Sequence, residues 1–250
     1  MKALILAAGQ GTRIRSIHGE RPKCLIEWGP SATTILDHQI GGLLSSGIAQ
    51  IAIVVGYQRH QIIQHVRANY RRDIARFSFI DNPAFAETNN IYSLWRAREW
   101  LRGDSFVCLN ADVVFDHRIL PPAVSSPAPI NMIVDPEWRD ETMKVVTAGG
   151  RVIRMSKQIP PSEFSGTYIG ITTVSMAIQK RLFARIAALI WAGHQREFFN
   201  VAVQQLADEG VQVGYTSTRD LPWAEIDDPS DLAFARRYVF PRLSPPAAAA

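Results

Sequence analysis

Cysteine is scarce in this chain: Cys24 and Cys108 are the two thiols in 250 residues. Two cannot staple a disulfide framework, and with Leu25 and Leu109 beside them they read as packed positions in a reducing, cytoplasmic setting. Long apolar runs are missing too. No stretch reaches membrane-spanning length, and the handful of apolar residues between Lys2 and Gly9 is too short for a signal peptide, so a soluble protein with no membrane partner is expected. Nor is there a block of one charge sign. The 27 basic and 23 acidic residues are dispersed, a net +4 that suits small anions as well as nucleic acid. The local cluster Arg67, Arg71, Arg72 and Arg76 follows a helical pattern and reads as a solvated helix end, so no nucleic-acid partner is expected. His18, His38, His60, His65, His117 and His194 show neither metal-ligand nor triad spacing, which speaks against a histidine base.

Internal repeats and interdomain linkers are also absent, while 47% hydrophobic and 20% charged residues are those of an ordinary globular protein. One large α/β domain over 1–240 is expected, followed by a Pro/Ala-rich, disordered tail at 241–250. From the first strand to about residue 110 the pattern alternates. Strands at Leu4–Leu6, Ile51–Gly56, Phe77–Ile80 and Phe106–Leu109 are separated by a helix at 33–46, one carrying Ile62, Ile63, Val66 and Tyr70, and one at 91–101. That alternation predicts a doubly wound, mainly parallel sheet with its site at the strands' C-terminal ends. The second half holds a short helix near 117–124 and β-like runs at Ile130–Val134, Met143–Val146, Val152–Ile153 and Tyr168–Val174, which predict a small β-rich extension. Helices near 176–192 and 196–209, a strand over 211–215 and a last helix starting at Asp228 close the chain.

The chemistry is concentrated in the first 25 residues. The strand Leu4–Leu6 empties into Ala7-Ala8-Gly9-Gln10-Gly11-Thr12-Arg13, a small-residue loop whose main-chain N–H groups can converge on an anion. Arg13 adds a fork of donors and Lys23, after Pro22, a compact positive charge. This reads as a cradle for a triphosphate. It is neither a dinucleotide fingerprint, whose third glycine is replaced by Ile14, nor a P-loop, which needs Gly-Lys-Ser/Thr.

Carboxylates supply the other half of the site. Asp112 follows the strand Phe106–Leu109, at the sheet edge that faces the glycine loop, where an acid suits Mg²⁺ held jointly with nucleotide oxygens. In Trp223-Ala224-Glu225-Ile226-Asp227-Asp228-Pro229, alternation puts Glu225 and Asp227 on one face, able to point at one ion. Asp228, before Pro229, and Asp116 read as helix caps. Asn89 and Asn90 open a helix with Ser93 one turn on; one asparagine suffices as a cap, and the other is free for a base edge or an acceptor group. Trp95 and Trp100 read as packed aromatics.

The run Leu6-Ala7-Ala8-Gly9-Gln10-Gly11-Thr12-Arg13 with Pro22-Lys23 closely resembles the pyrophosphorylase signature of nucleotidyltransferases. Glu87-Thr88-Asn89-Asn90-Ile91-Tyr92-Ser93-Leu94-Trp95 and Trp223-Ala224-Glu225-Ile226-Asp227 resemble the bacterial phosphocholine and aminoethylphosphonate cytidylyltransferases. The resemblance implies the nucleotide-diphospho-sugar transferase fold, with a nucleotide-binding half at about 1–115 and an acceptor-binding half at about 116–240. It implies CTP as nucleotide and Mg²⁺ on Asp112, Glu225 and Asp227, with Arg13, Lys23 and Asp112 as the catalytic set. Leu6, Ala7, Ala8, Gly9, Gly11, Thr12, Arg13, Lys23, Asn89 and Asn90 would bind the nucleotide. Lys157 resembles the family's acceptor-phosphate lysine. Asn200 stands where choline-directed relatives carry an acid, and Trp138 is a candidate cation–π wall in a loop, Asp135 to Glu141, that either receives an amine or is simply solvated. The partners implied are CTP or another nucleoside triphosphate and a small phosphorylated acceptor, and a homodimer is left open. Two alternatives stand beside this: a sugar-1-phosphate nucleotidyltransferase using UTP, dTTP or GTP, and a catalytically silent nucleotide-binding regulator.

Overall fold

Strands buried on both faces cannot alternate apolar with polar residues, and the uninterrupted runs at 2–7, 51–55 and 106–110 sit accordingly at the centre of the molecule. The structure, a computed structural model, describes residues 1–29 and 32–243. Its strands are β1 (Lys2–Ala7), β2 (Ile51–Val55), β3 (Phe77–Asp81), β4 (Phe106–Asn110), β5 (Val113–Phe115), β6 (Ile130–Asp135), β7 (Lys144–Ala148), β8 (Arg151–Ser156), β9 (Gly166–Val174), β10 (Val213–Ser217) and β11 (Trp223–Glu225). The α-helices are α1 (Arg15–His18), α2 (Ile35–Ser45), α3 (Arg59–Asn69), α4 (Asn90–Arg96), α5 (Arg98–Leu101), α6 (Leu120–Val124), α7 (Met176–Trp191), α8 (Asn200–Asp208) and α9 (Pro229–Phe234).

The main sheet runs in the order β10-β6-β9-β4-β1-β2-β3. β3, β2, β1 and β4 are mutually parallel, β9 is antiparallel to both β4 and β6, and β10 is parallel to β6. The hairpin β7–β8 joins through β7 to the start of β9, and β5 pairs with β11 as a separate two-stranded sheet. The chain crosses from β1 outward to β2 and β3, then returns to place β4 on β1's other side. The crevice beyond the C-terminal ends of β1 and β4 is therefore the switch point where such sheets bind ligands.

Alternation along β1 divides the core. Leu4 and Leu6 pack with Leu94, Leu182 and Phe199 on one face of the sheet, while Ala3 and Ile5 pack with Leu36, Ile40 and Val66 on the other. Each fully buried Leu or Ile contributes about 2 kcal/mol relative to exposure. A third cluster, Ile14, Ile26, Trp28, Ile226 and Leu232 among its members, packs the segment after the glycine loop against the C-terminal helix. Cys24 and Cys108 are both free thiols in the interior, and burial pushes the Cys24 thiol up to about 12.

The doubly wound, mainly parallel sheet and its β-rich extension are as the sequence predicts, with differences at element ends. The helix expected over 91–101 is two short helices, because the chain turns at Ala97. The helix expected from 196 begins at Asn200, since the preceding segment is tied sideways: Asn89 N–H donates to Gln195 O (2.9 Å) and Phe199 N–H to Asn90 Oδ1 (2.8 Å). The expected 117–124 helix starts as a 3₁₀ turn, and the strand expected over 211–215 is β10, which begins at Val213. Of the expected tail, Pro241 and Arg242 belong to a turn at Phe240–Arg242, and 244–250 lie outside the described residues. The pairing of β5 with β11 has no counterpart in the sequence reading, and it proves decisive for the site.

Candidate active site

β1 ends at Ala7, and the chain leaves it through Ala8, Gly9 and Gln10 into a left-handed Gly11 (φ 59°, ψ 39°). Side chains are strained in that conformation, and a Cβ at Gly11 would lie 3.0 Å from Lys23 Cβ. Glycine thus lets the loop lie directly against the stem of Lys23. The 3₁₀ turn Thr12–Ile14 follows, with Ile14 anchored in the third cluster and Arg13 on the opposite, exposed side.

The three acids come from two places in the chain. Asp112 lies just past β4, and β5 begins one residue later. Because β5 pairs antiparallel with β11, Glu225 sits opposite Val113, and Ile226 N–H donates to Asp112 O at 2.9 Å. That pairing draws residues over a hundred positions apart into one corner. Ile226 is fully buried on the far side, so Glu225 and Asp227 share a face as alternation requires. Asp228 caps α9 in a capping box with Asp231, whose Oδ2 also accepts the Asp227 N–H at 2.8 Å. The cap thereby fixes the backbone that carries Asp227.

Lys23 closes the arrangement. Its Nζ is 2.7 Å from Asp112 Oδ2 and 2.6 Å from Asp227 Oδ1, and the Arg13 guanidinium donates to the other oxygen of Asp227. Burial works to raise the Asp227 carboxyl, but Lys23 and Arg13 override it and hold the group below its ordinary value. Burial likewise works against the Lys23 ammonium, and Asp112 and Asp227 hold it above its usual range. For Glu225 the balance goes the other way: burial, and then repulsion from Asp112 and Asp227, outweigh the attraction of Lys23 and Lys157 and push its carboxyl up to about 8.

One oxygen each of Asp112, Glu225 and Asp227 lies within 4.8 Å of the others, and Asp112 Oδ1 is buried with no hydrogen-bond partner. An orphaned carboxylate oxygen beside two more acids, in a corner where an ammonium already bridges two of them, fits a hard divalent cation.

These residues line one cleft of about 350 Å³. Leu6, Ala7, Ala8, Gly9, Gly11, Thr12, Arg13 and Lys23 form one wall, and Asn89, Asn90, Asp112, Lys157, Asn200, Glu225 and Asp227 all reach it. The cleft brings together the expected site residues with one exception. Trp138 is not part of its lining: the indole packs edge-on against Phe164 (5.0 Å between centroids), donates from Nε1 to Asp140 Oδ1 (2.9 Å) and carries the Lys144 ammonium 4.5 Å from its ring. The aromatic walls are instead Phe85, Tyr168 and Phe198, with Lys157 Nζ 5.3 Å from the Phe198 ring. Nothing local in the sequence marked Phe85 or Tyr168, since their place depends on how distant strands pair.

Within the acidic loop, Asp135 is buried and accepts from Thr218 Oγ1 (2.6 Å), while Glu141 lines the cleft and pairs with Arg13 (3.7 Å). Asn89 is the cap of α4, accepting from Asn90 N–H (2.7 Å). The second asparagine is less free than its sequence suggests: Asn90 Oδ1 accepts from Phe199 N–H, so the carbonyl end is committed to the fold and its NH₂ remains for a ligand. Asn200, on the first turn of α8, is 3% exposed and its Nδ2 is buried with no partner.

Among the described residues no helix is long and apolar enough to cross a membrane. The chain is similar to the CMP-5'-(3-aminopropyl)phosphonate synthase of Streptomyces rubellomurinus, 27% identical over 98% of this chain; it spans only 39% of that relative's length. It is also similar to the 2-aminoethylphosphonate cytidylyltransferase of Lancefieldella rimae, 27% identical over 95% of this chain and 93% of that one. The solved inositol-1-phosphate CTP transferase from T. maritima superposes with a TM-score of 0.78 at 18% identity, covering 95% of this chain and 97% of that one, and shows the shared fold. The MobA-like NTP transferase domain matches residues 3–207. By fold, by cleft and by that match across most of its length, the chain belongs to the MobA-like NTP transferase domain family and is a nucleotidyltransferase.

Proposed function

We propose that the protein transfers a cytidylyl group from CTP to a small phosphorylated alcohol or a phosphonate, releasing pyrophosphate, with Mg²⁺ held by Asp112, Glu225 and Asp227. The observation that carries this reading is one cleft in which the Gly9–Arg13 loop, Lys23 and three convergent acids meet. CTP as the nucleotide is supported by the names of the two relatives above, one a synthase of a CMP-phosphonate and the other a cytidylyltransferase of 2-aminoethylphosphonate.

The acceptor is already an anion near neutral pH, so no side chain need remove a proton. An acceptor oxygen forms a bond to the α-phosphorus in line as the bond from that phosphorus to the bridging oxygen breaks, and pyrophosphate leaves with the electron pair. The work is positioning and charge stabilisation. Main-chain N–H groups of the loop, with Arg13 and Lys23, hold the β- and γ-phosphates and take up the charge that grows on the leaving group. Mg²⁺ held by Asp112, Glu225 and Asp227 would supply Lewis-acid polarisation of phosphoryl oxygens. Lys157 faces the acceptor's phosphate or phosphonate, with Asn200 at its far end. In this assignment residues 1–115 form the nucleotide-binding half and 116–240 the acceptor-binding half of one unit.

Pyrophosphate release measured with each of CTP, UTP, dTTP, GTP and ATP, against 2-aminoethylphosphonate, phosphocholine and glucose 1-phosphate, tests the reading. Turnover with CTP and a phosphonate or phosphorylated alcohol is expected. Preference for UTP, dTTP or GTP with the sugar phosphate replaces it by sugar activation, and no turnover with any pair refutes it.

A further inference from the structure

His18 ends α1 on the inner side of the glycine loop and is 8% exposed. Its Nε2 is 3.2 Å from Gly11 O, which also accepts the Ile14 N–H at 3.3 Å. A carbonyl oxygen can only accept, so His18 donates from Nε2, and Nδ1 is the ring nitrogen without the proton in the neutral side chain. That Nδ1 is buried and has no partner. An unpartnered polar atom in the interior is unfavourable, and a leucine of similar size would avoid it, so a histidine here is explained by the one thing it supplies, the Nε2–H.

The peptide joining Gly11 to Thr12 is trans, as are all described peptide bonds. In a trans peptide the C=O and N–H point in opposite directions. Two donors hold the Gly11 carbonyl inward, so the Thr12 N–H is directed the other way, and Thr12 lines the cleft. The same imidazole lies behind the Gly11 site that also packs on Lys23: a Cβ at Gly11 would meet Lys23 Cβ at 3.0 Å and His18 Nε2 at 3.6 Å. The ring thus stands behind the loop peptide at the residue that lies against the stem of the lysine bridging Asp112 and Asp227.

We propose that His18 is a positioning residue for nucleotide phosphate binding: its Nε2–H pins the Gly11 carbonyl and so aims the Thr12 N–H at a phosphate oxygen. The proposal rests on the nucleotidyl-transfer reading of the cleft. His18 touches no substrate and transfers no proton.

The test compares wild type with His18→Leu, which keeps bulk and removes the donor, and His18→Gln, whose side-chain NH₂ can stand in for the ring Nε2–H. CTP binding with Mg²⁺ is measured by calorimetry, and KM for CTP and for 2-aminoethylphosphonate by pyrophosphate release. His18→Leu is expected to weaken CTP by about fivefold or more, the size of one neutral hydrogen bond, with the acceptor KM unchanged, and His18→Gln to restore most of the loss. Should His18→Leu not fold, His18→Asn replaces it, because its shorter amide cannot reach Gly11 and is expected to weaken CTP likewise. Wild-type CTP affinity in the donor-less variant, an equal loss in His18→Gln, or parallel increases in both KM values overturn the role. Wild-type protein that binds no nucleoside triphosphate refutes the reading of the cleft and the role of His18 with it, whereas binding with three indistinguishable proteins refutes the role alone.

Discussion

Replacing Lys23 by methionine removes one charge and keeps the stem that packs on Gly11, so it isolates the electrostatics of the acidic corner. Lys23 bridges Asp112 and Asp227 at 2.7 and 2.6 Å, and the three side chains are 15%, 19% and 23% exposed. Without the ammonium, the two carboxylates face each other with oxygens inside 4.8 Å. At that separation and an effective dielectric constant of about 20, two unit charges repel by about 3.5 kcal/mol. Removing one partner of a buried pair costs about 3–5 kcal/mol; residual exposure and the remaining Arg13–Asp227 contact reduce this to about 2–3 kcal/mol. Urea denaturation in EDTA at pH 7.5 reads that loss directly. The sign with pH follows. Carboxylates lacking their cation gain affinity for protons in the folded state, so the deficit of Lys23→Met shrinks as pH falls toward 5 and grows toward pH 8. Millimolar Mg²⁺ is expected to stabilise the variant more than wild type, because a divalent cation replaces the lost charge where the ammonium sat. A loss below about 0.5 kcal/mol, no change in that loss between pH 5 and 8, or equal stabilisation of both proteins by Mg²⁺ would refute the electrostatic account of the corner.

Asp112→Ala is expected to lower pyrophosphate release by about 10²-fold or more, since it removes both the orphaned oxygen and the partner of Lys23, and near-normal turnover removes Asp112 from the site. Glu225, with its carboxyl raised to about 8, binds a proton more readily folded than unfolded; it weakens the metal-free fold as pH rises from about 4.5 through 8. Glu225→Gln should flatten that slope and be the more stable protein at pH 9 without Mg²⁺, and a variant with the wild-type pH profile contradicts it. Asn90→Ala deletes the acceptor for Phe199 N–H and is expected to cost about 1–2 kcal/mol, with faster amide exchange at Phe199 and the start of α8. Unchanged protection at Phe199 would show that this tie does not hold the helix.

How much of this could be read before folding varies by residue. Gly11 and the loop around it were recognisable because their chemistry is local: a strand end, a left-handed turn and two cations within 25 positions. The caps at Asp116 and Asp228 were readable for the same reason, each bonding backbone within three residues. Trp138 misled, because an aromatic in an acidic loop looks like a ligand wall until its actual neighbours, Phe164 and Lys144, are known. Asn90 was half right: it lines the cleft, but its carbonyl serves α8.

The sequence by itself determined the strand-and-helix alternation, the small-residue loop after β1 and the shared face of Glu225 and Asp227, all consequences of backbone periodicity and contacts within a few residues. Only the tertiary structure decided that Asp112 meets those acids, that Lys23 bridges two of them, and that His18 stands behind the loop with Phe85, Tyr168 and Phe198 around the cleft. The reason is the antiparallel pairing of β5 with β11 and the return of β4 to the side of β1, hydrogen-bonded registers between segments far apart in the chain, which no local pattern specifies.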